Sequence, residues 1–161
     1  MAVQEVAEML RMSKLADYGA LVMAFLAKSD RMLNATEISS EINVASPTVA
    51  KLLKLLTRGE LLVSHRGVNG GYSLARGADD ISVADIIDVI EGPIALTECV
   101  SQPGSCVQES DCSLRENWQV INDAMRKALS EVSVSDLAGG RSHSVNLDAN
   151  GSLEKATGGC C

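Results

Sequence analysis

The chain has 161 residues, a formal net charge of −7, a 46% hydrophobic share with only 2% aromatic residues, and five cysteines. The length predicts about one domain with an additional arm, no charge-free apolar run approaches the roughly 20 residues of a membrane helix, and the acidic start MAVQEVAEMLRM does not predict a secretory signal. We therefore expect a cytoplasmic protein without membrane contact, in which clustered cysteines more often bind metal than form disulfides.

Three helical patterns occupy the first 60 residues. Residues 13–27 predict a helix that is capped by Ser13. Thr36 opens a second helix, and a third begins with Ser46 as its N-cap and Pro47 at the first helical position, and ends at Gly59. The apolar faces at helical spacing are Leu15, Tyr18, Leu21, Val22 and Phe25 in the first helix and Val49, Leu52, Leu53 and Leu56 in the third.

The next segment predicts a β-hairpin. Residues 61–66 and 72–75 form extended runs, and we expect the Asn-Gly-Gly stretch at residues 69–71 to supply the positive φ angles of a tight turn. The two helices alone also fit an ordinary helical hairpin, but a β-hairpin directly after a helix-turn-helix is the wing of a winged helix. His65, Arg66 and Arg76 would then lie near a phosphate backbone or a minor groove.

The charge distribution supports a DNA-binding interpretation. Residues 45–77 carry five Lys and Arg against one acidic residue, whereas acidic residues outnumber basic ones six to four before this segment and fourteen to five after it. One basic segment in an acidic chain is typical of a localised nucleic-acid footprint, although charge blocks are often only solvated faces.

Two further helices are predicted in the C-terminal half. Residues 82–91 form a short helix with Ser82 and Asp85 in capping-box spacing, ended by Gly92 and Pro93. Residues 113–137 predict one long helix, opened by a capping box of Ser113 and Glu116. Its apolar stripe indicates pairing with a second copy of the chain, and its members are Leu114, Trp118, Ile121, Met125, Leu129 and Val132. The remainder lacks the apolar content to fold.

Three cysteines, Cys99, Cys106 and Cys112, are spaced C-x6-C-x5-C ahead of the long helix. Iron–sulfur clusters and zinc both bind thiolates, but structural zinc usually takes two close cysteine pairs, so this wider spacing favours a multi-iron cluster. A thiol redox switch stays open. Three thiolates are one ligand short, and Glu98 or Asp17 is the candidate for the fourth, the latter from a partner subunit.

The chain resembles the Rrf-two (Rrf2) family of bacterial winged-helix regulators over about residues 9–137. The stretches that carry the resemblance are LRMSKLADYG, SPTVAKLLKLLTRGELLVSHRGVNGGYSLAR with its RG-x-x-GGY wing, and the cysteine triplet. The opening and the LTEC loop are most similar to regulators of the SUF cluster-assembly operon. The expected fold is mostly α with a small β-hairpin wing. Its parts are a winged helix-turn-helix DNA-binding domain (9–92), a cysteine-rich cluster-binding loop (93–112), a dimerisation helix (113–137) and a disordered tail (138–161).

The resemblance implies a homodimer that binds a palindromic operator in double-stranded DNA and carries one iron–sulfur cluster per subunit, either [2Fe–2S] or [4Fe–4S]. It implies Cys99, Cys106 and Cys112 as ligands, and Asp17 matches the aspartate that the nitric-oxide sensors of the family use. Some members have a histidine where this chain has Arg115. The expected DNA-binding residues are Ser46, Pro47, Thr48, Lys51, Lys54, Arg58, His65, Arg66, Gly70 and Gly71.

The expected function is therefore that of a cluster-sensing transcriptional regulator, a repressor of iron–sulfur assembly genes, and not of an enzyme. Three alternatives stay open from the residues: a nitric-oxide or redox sensor on the same scaffold, a zinc-stabilised or thiol-switch DNA-binding protein, and a carrier that delivers clusters to client proteins. The sequence does not decide the operator, the direction of regulation, or which cluster state binds DNA.

Overall fold

The computed structural model describes residues 12–97, 100, 102, 104, 107 and 112–139, and the backbone of residues 146–147 and 153–154. The helices are α1 Lys14–Ala27, α2 Ala35–Ile42, α3 Ser46–Arg58, α4 Val83–Glu91, α5 Arg115–Glu131 and α6 Val134–Gly139. The strands are β1 Leu62–His65, β2 Gly71–Leu74, β3 Asn146–Leu147 and β4 Leu153–Glu154, and a 3-10 turn covers Ala78–Asp80. This order confirms the predicted winged helix-turn-helix followed by a long helix. No helix of the described part is long and apolar enough to cross a bilayer.

The caps of α1 and α2 follow from their side chains. Ser13 caps α1 as predicted. The prediction that Thr36 opens α2 is wrong, because Asn34 is the N-cap and forms a reciprocal capping box with Glu37. The Asn34 N–H and the Arg31 guanidinium, which bonds to the carboxylate at 2.9 Å, lower the pKa of Glu37 from its ordinary value. The box satisfies two backbone N–H groups that a bare helix start would leave without partners.

Helix α3 supplies the centre of the hydrophobic core. Its predicted apolar face is confirmed, since Val49, Leu52, Leu53 and Leu56 are fully buried. The predicted face of α1 is partly wrong, because Leu21 is 43% exposed. Helix α1 packs against α3, α4 and α6. The buried side chains that it contributes to the core are Val22, Met23 and Leu26.

The wing is an antiparallel hairpin of β1 and β2, with a register from Leu62 opposite Leu74 to His65 opposite Gly71. The expectation that residues 69–71 have positive φ angles is wrong, since in this turn only Gly67 does, at 124°. Gly70 and Gly71 are needed for close backbone approach. A Cβ on Gly70 would lie 2.3 Å from the His65 carbonyl oxygen, and one on Gly71 would lie 2.7 Å from a backbone oxygen of the loop before α2.

The wing and the 3-10 turn connect α3 to α4, and α4 begins as the sequence predicts. The Ser82 hydroxyl accepts from the Asp85 N–H at 3.1 Å, and the Asp85 carboxylate accepts from the Ser82 N–H at 2.9 Å. The helix ends at Gly92, whose φ of 95° favours glycine.

The single long C-terminal helix that the pattern predicts is instead two helices, α5 and α6. Val132 is extended, and the Val132 carbonyl and the Val134 N–H bond to the backbone on either side of Ser82, at 2.9 and 2.8 Å. Ser133 then caps α6 through a third capping box, with Asp136. The backbone bonds to the α4 start and this cap interrupt the helix.

The predicted capping box of α5 is also wrong. The helix begins at Arg115 after Leu114, without a side-chain cap, and its first turn is joined to the preceding chain by the Arg115 N–H, which donates to the Cys112 carbonyl at 3.4 Å. The predicted tail lies outside the described residues except for residues 138–139, which end α6, and for β3 and β4, which pair antiparallel over two residues.

Candidate nucleic-acid interface and metal centre

A buried hydroxyl pair fixes the turn between α2 and α3. Ser39, which is buried on α2, donates to the Val44 carbonyl at 2.7 Å, and its oxygen lies 2.9 Å from the Ser46 hydroxyl. Because Ser39 has a single proton to donate, Ser46 is the donor of the second bond. The prediction that Ser46 is the N-cap of α3 is wrong, because Ser46 is the first residue of the helix. Ala45 occupies the N-cap without a side-chain bond, and the first turn contains no acidic residue.

Helix α3 presents a basic stripe, formed by Lys51, Lys54 and Arg58, to solvent. At about 100° per residue these side chains lie within about 60° of one another, on the opposite side of the helix from the buried face. Salt bridges among the described residues include Arg31 to Glu37, Arg76 to Asp85 and Arg126 to Asp88, and none of these involves the stripe. The stripe therefore offers positive charge that no neighbouring carboxylate neutralises within the described residues.

The wing exposes His65 and Arg66 at the end of β1, and Val68 at its tip. The His65 ring nitrogen lies 3.5 Å from the Ser73 hydroxyl across the hairpin. Arg76 differs from the expectation, because it forms a 3.4 Å ion pair with Asp85 of α4. Both side chains of this pair are exposed. The charge of Arg76 is therefore paired with the Asp85 carboxylate and is not an unpaired charge of the wing.

The structure brings the predicted DNA-binding residues onto two neighbouring elements, α3 and the wing, which pack against each other through β1. At the start of α3, Pro47 is exposed and Thr48 is half-buried. Gly70 and Gly71 have the structural role described above. No described contact tests the role of any of these residues toward DNA, so their assignment stays a prediction.

The predicted metal ligands fall only partly within the described residues. Cys112 is a free, half-buried thiol just ahead of α5, and Asp17 is exposed on α1. Cys99, Cys106 and Glu98 lie outside the described residues, as do His143, Cys160 and Cys161 in the tail. Among the residues that are described, no group of three His, Cys, Asp or Glu side chains could hold a metal ion. The one described thiol suits a thiolate-ligated centre.

A set of polar contacts that the sequence analysis missed joins the start of the cysteine loop to the helices. Asn122 of α5 is only 4% exposed, and its side chain accepts from the Leu96 N–H at 3.1 Å and donates to the Ile94 carbonyl at 3.3 Å. Asp88 of α4 accepts from the Ile94 N–H at 3.2 Å and receives both terminal nitrogens of Arg126, at 3.1 and 2.5 Å. The Asp88 carboxylate raises the pKa of Arg126.

The first half of α5 and the residue before it carry an apolar face that stays exposed among the described residues. Leu114, Trp118 and Ile121 are 54%, 39% and 49% exposed, although they follow one another at steps of four and three. Met125, Leu129 and Val132, further along the predicted stripe, are half-buried. The apolar stripe of α5 is thus more exposed toward the N-terminal end of the helix, next to Cys112.

Comparisons with known proteins agree with this architecture. The family model described as Rrf2, iron-dependent transcriptional regulator, matches residues 12–140. The transcriptional regulator NsrR of Oceanobacillus iheyensis is 34% identical over 134 residues, which cover 80% of this chain and 89% of the relative. The structure of CymR, the global cysteine regulator of B. subtilis, superposes with a TM-score of 0.67 at 30% identity, and the match covers 83% of this chain and 99% of CymR. For T. potens IscR the TM-score is 0.64 at 27% identity, with 81% and 88% covered. The relatives are regulators of transcription and not enzymes.

Proposed function

We propose that this chain, which belongs to the Rrf2 family of transcriptional regulators, is a cytoplasmic homodimer that represses iron–sulfur assembly genes according to the state of a bound iron–sulfur cluster. The observation that carries the proposal is the combination of an unneutralised basic stripe on α3 with a cysteine-rich loop that runs directly into α5. The first feature suits DNA, and the second suits a sensor placed between the DNA-binding domain and a helix with an uncovered apolar face.

DNA recognition follows from the chemistry of α3 and the wing. Lys51, Lys54 and Arg58 would contact phosphates, and the first turn of α3, which has neither a side-chain cap nor an acidic residue, favours a phosphate at its positive end. Arg66 on the wing would reach an adjacent groove. In a symmetric dimer two copies of α3 would lie in successive major grooves about 34 Å apart, which requires a palindromic operator.

Dimerisation is assigned to α5. The apolar face of Leu114, Trp118 and Ile121 is more exposed than expected for a helix that packs only within its own subunit. An isologous contact between two such faces would bury it and place the two cysteine loops near the dimer axis. The proposed domain limits are those expected from the sequence, with the dimerisation segment divided at Val132 into α5 and α6.

The cluster would be held by Cys99, Cys106 and Cys112, with Asp17 as the candidate fourth ligand. Thiolates are the ligands that iron–sulfur clusters select, and the bound cluster supplies an occupancy- and redox-dependent charge at the loop. Asp17 is exposed on α1, so its carboxylate is free to face the loop of a partner subunit. A cluster can bias DNA binding only if it is bound more tightly in one conformation of the dimer than in the other.

The proposal is tested by purifying the full chain without oxygen and measuring its absorption spectrum together with its iron, sulfide and zinc content. We expect a brown protein whose iron and sulfide are lost in Cys99→Ala, Cys106→Ala and Cys112→Ala. The matched control Cys160→Ala should keep its full iron and sulfide content. A colourless protein after anaerobic reconstitution, or iron retained in all three variants, would contradict the cluster assignment.

A thiol or zinc switch on the same scaffold is the second candidate. It is favoured by the likeness to CymR, the global cysteine regulator of B. subtilis, and by the free, half-buried thiol of Cys112. Bound zinc or reversible disulfides in a colourless protein that still binds its operator would select it. Rapid, stoichiometric nitrosylation of a bound cluster, with loss of operator binding at low nitric oxide, would instead identify a nitric-oxide sensor.

A further inference from the structure

We propose that Asn122 and Arg126 of α5, together with Asp88 of α4, are positioning residues that transmit the state of the cysteine loop to the recognition helix. These three side chains, here called the stem clamp, hold residues 94–96, here called the stem, where the chain enters the cysteine loop. The inference rests on the proposed function in that the loop is taken to be the sensor. The clamp itself is a feature of the chain without any bound group.

Asn122 grips the stem through backbone atoms. Its carboxamide accepts from the Leu96 N–H and donates to the Ile94 carbonyl, at 3.1 and 3.3 Å, in the manner of a neighbouring strand. The side chain is 4% exposed, so loss of either bond would leave a buried polar group without a partner. Because both bonds go to main-chain atoms of the stem, Asn122 links the position of α5 to the point where the loop starts.

Asp88 joins the same stem to α4. Its Oδ1 atom accepts from the Ile94 N–H at 3.2 Å, while both oxygens receive the guanidinium of Arg126 in a bidentate pair. Bidentate pairs of this kind fix orientation as well as distance. The Asp88 carboxylate is therefore a junction at which the stem, α4 and α5 meet, and a shift of the stem reaches α4 through one residue.

Helix α4 packs directly against the end of the recognition helix. A Cβ on Gly59, the C-cap of α3, would lie 2.4 Å from Val89 Cγ2, which is adjacent to Asp88 in α4. The Gly59 backbone and the Val89 side chain are thus already in contact, and no space remains between them to absorb a movement of α4. A displacement of the stem would consequently be passed through α4 to α3, and it would tilt the basic stripe.

The chain offers a matched control on the same helix. Arg76 pairs with Asp85 of α4 at 3.4 Å, with side-chain exposures of 46% and 41%, against 44% and 26% for Arg126 and Asp88. Both pairs join an arginine to an aspartate of α4. Among the described contacts, however, neither Arg76 nor Asp85 touches the stem. Arg76→Ala therefore removes an α4 ion pair without touching the proposed route.

The first experiment needs no cluster. Amide hydrogen exchange would be followed on cluster-free full-length protein for wild type, Asn122→Ala, Arg126→Ala, Arg126→Lys and Arg76→Ala. Asn122→Ala and Arg126→Ala should accelerate exchange at Leu96 or Ile94 by about tenfold or more, and exchange at Gly59 by at least about threefold. Arg126→Lys should restore part of the protection, and Arg76→Ala should leave the stem unchanged. Acceleration confined to the stem, with Gly59 unaffected, would overturn the proposal.

The second experiment measures coupling. Operator affinity is determined with and without the cluster, and the ratio of the two affinities is compared between wild type and Asn122→Ala. The ratio should fall toward one in the variant by at least about fivefold, while the cluster content and the cluster-free affinity stay within about twofold of wild type. An unchanged ratio would overturn the proposal. A ratio of one in wild type itself would instead count against the proposed function, and the exchange experiment would still decide whether the clamp connects the stem to α3.

Discussion

Removing one charge from the basic stripe should change how operator affinity depends on salt. In Lys54→Gln the side chain stays polar and is only slightly shorter, but it no longer carries a charge that neutralises a phosphate. Lys54 is exposed on α3, opposite its buried face, and no described salt bridge engages it. The substitution should therefore leave folding intact and act on the electrostatic part of binding alone.

The size of the effect follows from counterion release. Each phosphate contact contributes about 0.9 to the slope of log affinity against log salt, and a homodimer loses two contacts, so the slope should become shallower by about 1.8. Between about 50 and 200 mM salt, wild type should consequently lose roughly ten times more affinity than the variant. A loss of affinity without a change in slope would indicate a defect in folding or in base recognition instead.

The assay is a fluorescence-anisotropy titration of a promoter fragment at four or more salt concentrations. Lys28→Gln is the matched control, because it removes the same charge from an exposed position at the end of α1, away from the stripe. Its slope should stay within about 0.5 of wild type. The reasoning is refuted if Lys54→Gln leaves the slope unchanged, or if Lys28→Gln lowers it equally.

Three further predictions concern stability and assembly. Gly59→Ala should destabilise the fold by about 1–3 kcal/mol in urea unfolding, because its Cβ would overlap Val89; Gly19→Ala should cost less, since its nearest obstacle is the flexible end of an isoleucine side chain, and equal costs would count against this packing. Glu37→Gln should lower stability at neutral pH, because a carboxyl whose pKa is lowered by folding stabilises only while ionised. The difference should shrink as pH falls below the ordinary value of 4.5 and vanish below the lowered pKa of folded Glu37; a difference that does not shrink in acid would show that the Glu37 charge is not its cause. Ile121→Glu should convert the proposed dimer to a folded monomer in analytical ultracentrifugation, since the exposed α5 face would then repel its copy; a variant that remains dimeric would place the interface elsewhere.

Much of the fold could be predicted from local sequence signals. The buried face of α3, the cap of α1 and the capping box of α4 depend on residues within one or two turns, so pattern and chemistry determine them together. The winged arrangement followed from the order of elements. The cap at Asn34 was missed although its partner Glu37 stands three residues later in the sequence, which is a signal that could have identified it.

Two of the errors have tertiary causes. The break after α5 arises because Val132 and Val134 bond to the backbone before and after Ser82, a contact that no local pattern contains, although Ser133 and Asp136 do show capping-box spacing. Gly70 was correctly placed in the turn, whereas Gly71 is the first residue of β2. Both glycines are needed for the close approach of another backbone, which cannot be read from turn propensities.

The candidate site was predicted unevenly for the same reason. The basic residues of α3 could be identified because helical spacing alone separates them from the buried face. Asn122 gave no sequence signal, since an asparagine within a polar helix is ordinarily a surface residue. Only the approach of the stem, 26 residues earlier in the chain, turns it into a buried side chain whose oxygen and nitrogen both hydrogen-bond to the backbone.

The most direct test of the account is the affinity of one anaerobic preparation for its own promoter fragment, measured with its cluster and again after the cluster is removed, at a single salt concentration. The account predicts that the two affinities differ by about tenfold or more. Equal affinities, with full iron and sulfide content in the first sample, would contradict cluster sensing and leave a DNA-binding protein whose cluster does not regulate it.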